Sequence, residues 1–188
     1  MDPERFAPLA NALKFNQTLT TLSFQNEYIV GEGAIALAEA LKVNGTLASI
    51  HISWSNTDTP GIEALAEALK TNSGLKSINI ENSGITQAGF RALAEALKIN
   101  RTVTHINIES NQLGVRGASA LAEALAVNNT LTDIYIRSNN IGAVGAKALA
   151  ELLTTNQGLA TIDLQYNKIG PEGAQSFAQA LQINQVCS

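Results

Sequence analysis

Apolar and polar positions along the chain follow two rhythms that alternate without interruption. In the stretch Asn100 to Val127, NRTVTHINIESNQLGVRGASALAEALAV, the first part has period two: Val103, Ile106 and Ile108 are apolar, with His105, Asn107 and Glu109 between them. That alternation predicts a short strand with one face buried. The second part, Ala118 to Val127, has the Ala- and Leu-rich spacing of an amphipathic helix, with Leu121 and Leu125 four apart. Gly117 precedes this helix, and Gly33, Gly61, Gly89, Gly145 and Gly173 stand at the same place in the other copies. A glycine so placed predicts a turn needing positive φ or a close approach. The Asn that follows each helix predicts a C-terminal cap in the left-handed conformation.

That Asn recurs at 16, 44, 72, 100, 128, 156 and 184, always at the same step, so six full repeats span 16–183 with no insertion. One unit cannot bury its own apolar face, whereas stacked units share a continuous core. A strict strand–helix period places the strands in one parallel sheet and the helices along the other side. Helices are wider than the roughly 4.8 Å between strands, so the stack must curve with its strands inside. The predicted architecture is an α/β horseshoe segment, with parallel strands on the concave face and helices on the convex face. Residues 1–15 align through Leu9–Phe15 with the helical part of the repeat and form a capping helix, for which Pro8 predicts a kink or a later start. Residues 184–188 open a seventh repeat that stops without a polar cap. Such an end is expected either to continue in a longer protein or to self-associate.

The segments LTDIYIRSNNIGAVGAKALAELL and LATIDLQYNKIGPEGAQSFAQAL resemble the leucine-rich repeat of the ribonuclease-inhibitor subtype, as in NOD-like receptor repeat regions and Ran GTPase-activating proteins. The resemblance covers Asn16 to Ile183 and implies a right-handed leucine-rich-repeat solenoid. It is specific for fold and nearly silent on partner, because this scaffold serves many functions. The family's turn asparagine appears as Asn111, Asn139 and Asn167, whereas earlier copies carry Glu27, Ser55 and Ser83. The following glycine appears as Gly114, Gly142 and Gly170, replaced earlier by Val30, Asp58 and Thr86. A buried Asn ladder is therefore expected in the last three repeats only, with Ser55 and Ser83 as partial substitutes.

Composition narrows the function more than the fold. The chain has 188 residues, with 16 acidic against 12 basic side chains and a net charge of -4. A nucleic-acid binder needs clustered Lys and Arg to track phosphates, so none is expected here. No apolar run approaches the roughly 20 residues that span a bilayer, and no secretory signal opens the chain. The single cysteine, Cys187, suits a reducing compartment. A cytoplasmic location is expected, or delivery into a host cytoplasm for an effector.

Most candidate chemistry is a by-product of the repeat. Gly31-Glu32-Gly33-Ala34-Ile35-Ala36 fits a dinucleotide fingerprint, but Gly33 is the repeat glycine and the unit length is wrong, so no nucleotide or other cofactor is expected. Sequons at Asn16, Asn44, Asn100 and Asn128 are the helix-end Asn itself. His51 and His105 lie two repeats apart, roughly 12 Å, too far to share a metal. Glu81 and Glu109 occupy one column about 5 Å apart, but no nucleophile or pocket accompanies them, and Arg137 in the next repeat is expected to pair with Glu109. Asp133 and Asp163 add acid nearby. Glu39, Glu67 and Glu95, each three residues before a Lys, are solubilising pairs on the helical side.

What remains is the concave face, where variable polar residues stand beside a few large ones. Trp54, Tyr135, Tyr166 and Arg137 have the bulk of binding hot spots, and His51, Glu81, Glu109 and Asp163 form a polar surround. The expected function is a protein-interaction module that binds a protein partner on this face, as part of a larger recognition or effector protein, and not an enzyme. The alternative is a GTPase-regulating protein resembling Ran GTPase activators, although no loop arginine can be given a catalytic role. An enzyme with its own active site comes third.

Overall fold

The computed structural model of the chain describes residues 3–25, 31–53 and 59–184. Its elements run α1 (Pro3–Phe15), β1 (Thr21–Gln25), α2 (Glu32–Leu41), β2 (Ser49–Ser53), α3 (Thr59–Thr71), β3 (Ser77–Asn79), α4 (Gln87–Ile99), β4 (His105–Asn107), α5 (Gly114–Leu125), β5 (Asp133–Tyr135), α6 (Gly142–Leu153), β6 (Thr161–Asp163) and α7 (Gly170–Ile183). The six strands form one parallel sheet in chain order. Each strand residue pairs with its equivalent in the next repeat: Ile50 with Ile78, Ile78 with Ile106, Ile106 with Ile134, and Ile134 with Ile162. Each helix packs on the next, so helices line one side and strands the other. This is the leucine-rich-repeat solenoid that the repeat pattern predicts.

The core lies between the two layers. Ile106 and Ile108 on the strand side meet Leu121 and Leu125 from the helix, and all four are buried, as are their equivalents in neighbouring repeats. The helices begin earlier than the Ala/Leu spacing predicts. Gly117, Gly145 and Gly173 lie inside α5, α6 and α7 rather than in turns before them. Their close approach is real, because a Cβ on Gly145 would come within 2.5 Å of Ile141 Cγ2 and 3.0 Å of the Ala118 Cβ on the preceding helix. Positive φ belongs instead to Gly114, Gly142 and Gly170, where the chain turns into each helix. Likewise α1 starts at Pro3 and runs through Pro8 without the expected delay. It covers the first repeat with Phe6, Ala10 and Leu13, and the Phe6 ring lies 4.9 Å from that of Phe24.

The repeating Asn has a different role from the one predicted. Asn100 and Asn184 are extended, at φ -62° and -76°, not left-handed. Their side chains bridge repeats instead. Asn100 Nδ2 donates to Leu69 O and Asn72 O, while Oδ1 accepts from the backbone N–H of Thr102 and Val103. Asn44, Asn72, Asn128, Asn156 and Asn184 reach the two equivalent carbonyls of the preceding repeat in the same way. A second ladder runs where it is expected: Asn111, Asn139 and Asn167 donate to Ile80 O, Ile108 O and Ile136 O. Ser83 substitutes through its hydroxyl, 2.9 Å from Ile52 O. Glu27 and Ser55 lie outside the described residues. No helix among the described residues is long and apolar enough to cross a membrane.

Candidate functional site

The open face of the sheet is built from columns that take one residue from each repeat. The first reads Thr21, Ser49, Ser77, His105, Asp133, Thr161, and the second Ser23, His51, Asn79, Asn107, Tyr135, Asp163. Two residues further along stand Glu81, Glu109, Arg137 and Gln165. The chain then turns at Asn82, Ser110, Ser138 and Tyr166, all at φ between 46° and 56°. Left-handed backbone is unfavourable for a side chain as large as Tyr166, and the ladder Asn that follows holds the turn. Several polar residues of the second column have local work. Asn79, Asn107 and Asp163 each accept the backbone N–H two positions on, from Glu81, Glu109 and Gln165, which shapes the strand end.

Two of the expected binding residues meet. Arg137 is placed with its guanidinium carbon 4.5 Å from the centre of the Tyr166 ring, and Tyr166 is 70% exposed. The sequence expectation pairs Arg137 with Glu109, but the stacked ring takes the guanidinium instead. Tyr135 is half-buried one column away. On the other flank, Glu81, Glu109 and Asp163 form an acidic patch in which Asn107 Nδ2 reaches Glu81 Oε2 at 3.4 Å. Burial pushes the Glu109 carboxyl above its usual range, helped by the charges of Asp163 and Glu81 and opposed by Arg137. His51 is half-buried on β2. Trp54, the largest of the expected anchors, lies outside the described residues.

The Glu109 shift gives a pH dependence with a defined sign. A carboxyl whose folded value is raised favours folding only when protonated, below its unfolded value near 4.5. That contribution is lost as pH rises through the raised folded value. Glu109→Gln is therefore expected to raise thermal stability at pH 7, by less than about 1 kcal/mol because solvent screens the patch. The advantage should vanish below about pH 4, and unfolding curves at the two pH values check it.

One pairing escaped the sequence reading. His105 Nε2 lies 3.0 Å from Asp133 Oδ2, its Nδ1 lies 2.8 Å from the Thr104 hydroxyl, and Thr132 donates to the same Asp133 oxygen at 2.6 Å. The Thr132 and Thr161 hydroxyls, with His105, hold the Asp133 carboxyl below its usual range. The signal for it was that His105 and Asp133 stand one repeat apart at the same position. A polar groove on the strand-to-helix loops, lined by Gln87, Gln112, Arg116 and Asn140, was equally unsignalled. Among the described residues, no three His, Cys, Asp or Glu side chains come together as a metal site.

Comparison with known proteins places the chain in a family. A family model described as the TMOD/LMOD leucine-rich domain matches residues 53–172. No curated protein sequence matches the chain. Among solved structures, the tropomodulin C-terminal domain of Caenorhabditis elegans is similar at TM-score 0.62 and 15% identity, over 98% of this chain and 93% of that one. Leiomodin-1 actin-binding site 2 is similar at TM-score 0.62 and 20% identity, over 98% of this chain and 90% of that one. A chain of the yeast Rad7–Elc1 complex reaches TM-score 0.54 at 17% identity, over 89% of this chain and 43% of that one. These structural likenesses carry the fold, and the match lends the GTPase-regulating alternative no support. Because the family match spans more than half of its length, the chain belongs to the tropomodulin/leiomodin leucine-rich domain family.

Proposed function

We propose that the chain is a protein-interaction module that takes its partner on the open face of the sheet. The observation that carries this reading is the Arg137–Tyr166 stack, an exposed aromatic ring with a cation on it, standing beside the acidic residues Glu81, Glu109 and Asp163. Aromatic and Arg side chains contribute most where a partner buries them, and a rim of charge tunes rate and specificity. Tyr135 and His51 extend the footprint along the second column, and Trp54, two residues after Ile52 in the sequence, is the remaining anchor of this reading. In this reading the face binds and does not catalyse, and the partner is met in the cytoplasm. A family neighbour is named an actin-binding site, so actin is the first partner to test.

The test is co-sedimentation with actin filaments together with titration of labelled monomeric actin. Tyr166→Ala and Arg137→Ala are each expected to weaken binding about 10-fold or more, with thermal stability unchanged because both side chains reach solvent. Binding that survives both changes would place the partner elsewhere on the solenoid. Failure of the unaltered chain to bind either form of actin would remove actin as the partner.

A further inference from the structure

Glu81, Glu109, Arg137 and Gln165 stand side by side on successive repeats. The inter-strand hydrogen bonds carry the register that far, since the N–H groups of Asn82, Ser110 and Ser138 donate to Glu109 O, Arg137 O and Gln165 O. Along the solenoid this column presents two negative charges, one positive charge and a neutral amide, each about 4.8 Å from the next. The charges do not cancel within the column. Among the described residues, the half-buried Arg137 guanidinium donates no hydrogen bond and forms no ion pair, although Glu109 is its neighbour. Arg101, by contrast, commits its guanidinium to Leu97 O and Asn100 O. Tyr166 occupies one face of Arg137, at 4.5 Å, and the N–H donors are left without a protein acceptor.

We infer that the partner meets this column with an α-helix laid along the solenoid, its cations at i and i+4 over Glu81 and Glu109 and its carboxylate at i+7 over Arg137. The inference rests on the reading that the open face takes a protein partner. The charge order of that helix is the complement of the column. Its shape follows from spacing. Side chains at i, i+3 and i+4 of a helix stand about 5–6 Å apart, close to the step between repeats. Same-face residues of a strand stand about 6.6 Å apart and fall out of step. Arg137 calls for a carboxylate, because a guanidinium stacked on a ring still offers its N–H fork to a planar acid. A phosphate carries about twice the charge and would meet Glu109 and Asp163 with correspondingly greater repulsion. A cation over Glu109 also offsets the burial and the Asp163 and Glu81 charges that raise its carboxyl.

Fluorescence anisotropy with the full chain and two labelled Ala-rich peptides, each about 20 residues and so long enough to be helical, tests this. The matched peptide carries Lys, Lys and Glu at i, i+4 and i+7, and the scrambled one carries Lys, Glu and Lys at the same places. Composition and net charge are equal, so attraction to the acidic chain alone cannot separate them. The matched peptide is expected to bind at least about 10-fold tighter. Arg137→Gln should erase that preference, and Tyr166→Leu, which keeps an apolar side chain without the ring face, should weaken the matched peptide about 3-fold. Thermal unfolding of both variants should stay at the parent value. Absence of binding up to millimolar peptide, equal binding of the two peptides, or a preference that survives Arg137→Gln overturns the inference. Loss of actin binding in Tyr166→Ala and Arg137→Ala without any peptide preference would leave the protein-binding reading standing and remove the helix alone.

Discussion

Asn128→Ala is expected to cost about 3–5 kcal/mol of folding free energy, a large effect for a surface-adjacent turn residue. Asn128 is fully buried, at 0% exposure, and satisfies four backbone groups at once. Its Nδ2 donates to Leu97 O at 2.7 Å and Asn100 O at 3.0 Å, and its Oδ1 accepts from Thr130 and Leu131 at 2.8 and 2.9 Å. Alanine leaves the Thr130 and Leu131 N–H groups without the Asn128 acceptor and takes the amide donor from Leu97 O and Asn100 O, which keep only the Arg101 guanidinium at 3.4 and 3.0 Å; each unsatisfied buried group costs about 1–3 kcal/mol before relaxation. Aspartate is no remedy, because it keeps the acceptor but turns a carboxylate toward two carbonyls. The internal control is Asn16→Ala at the same repeat position. The Asn16 side chain makes only local, exposed bonds to Thr18 and Leu19, so its loss should cost less than about 1 kcal/mol. Equilibrium denaturation of the two variants measures the difference. Equal costs would mean that the inter-repeat bonds contribute nothing net.

Leu125→Ala is expected to cost about 2–5 kcal/mol, because the side chain is 0% exposed and packed between neighbouring helices and the sheet. Leu181 has the same position two repeats later but is 48% exposed. Leu181→Ala should therefore cost well under half as much. The pair separates what the residue type contributes from what its neighbours contribute. A similar loss at both sites would mean that the terminal repeat is better covered than its exposure indicates.

The fold was legible because one signal was written six times. A register without insertions leaves no choice about which strand pairs with which, and Ile78, Ile106 and Ile134 had to share a column. Local conformation was less legible. Gly117 looked like a turn by propensity, yet it is helical, and it is glycine because the space a side chain would need is filled by Leu113, where a Cβ would sit 2.7 Å from Cδ1. The Asn after each helix looked like a left-handed cap because its nearest sequence neighbours suggest one. Its decisive partners belong to the preceding repeat, where propensity does not look. The face itself could be read column by column, but the stack of Arg137 on Tyr166 joins neighbouring repeats across columns. Sequence reasoning that stays within a column sends Arg137 to Glu109 instead.

The inter-repeat Asn bonds have a direction. Each one is supplied by a later repeat and satisfies carbonyls of the one before, from Asn44 on Leu13 to Asn184 on Leu153. On the ribosome the earlier repeat always emerges first, so its helix end waits, open to water, until the following repeat appears. The nascent chain can then grow by accretion, closing one seam at each step behind a moving front. The same direction sets the grammar of gene-length change. Gain or loss of a unit in phase with the Asn joins a complete donor to a complete acceptor, whereas a cut at any other phase strands one of them.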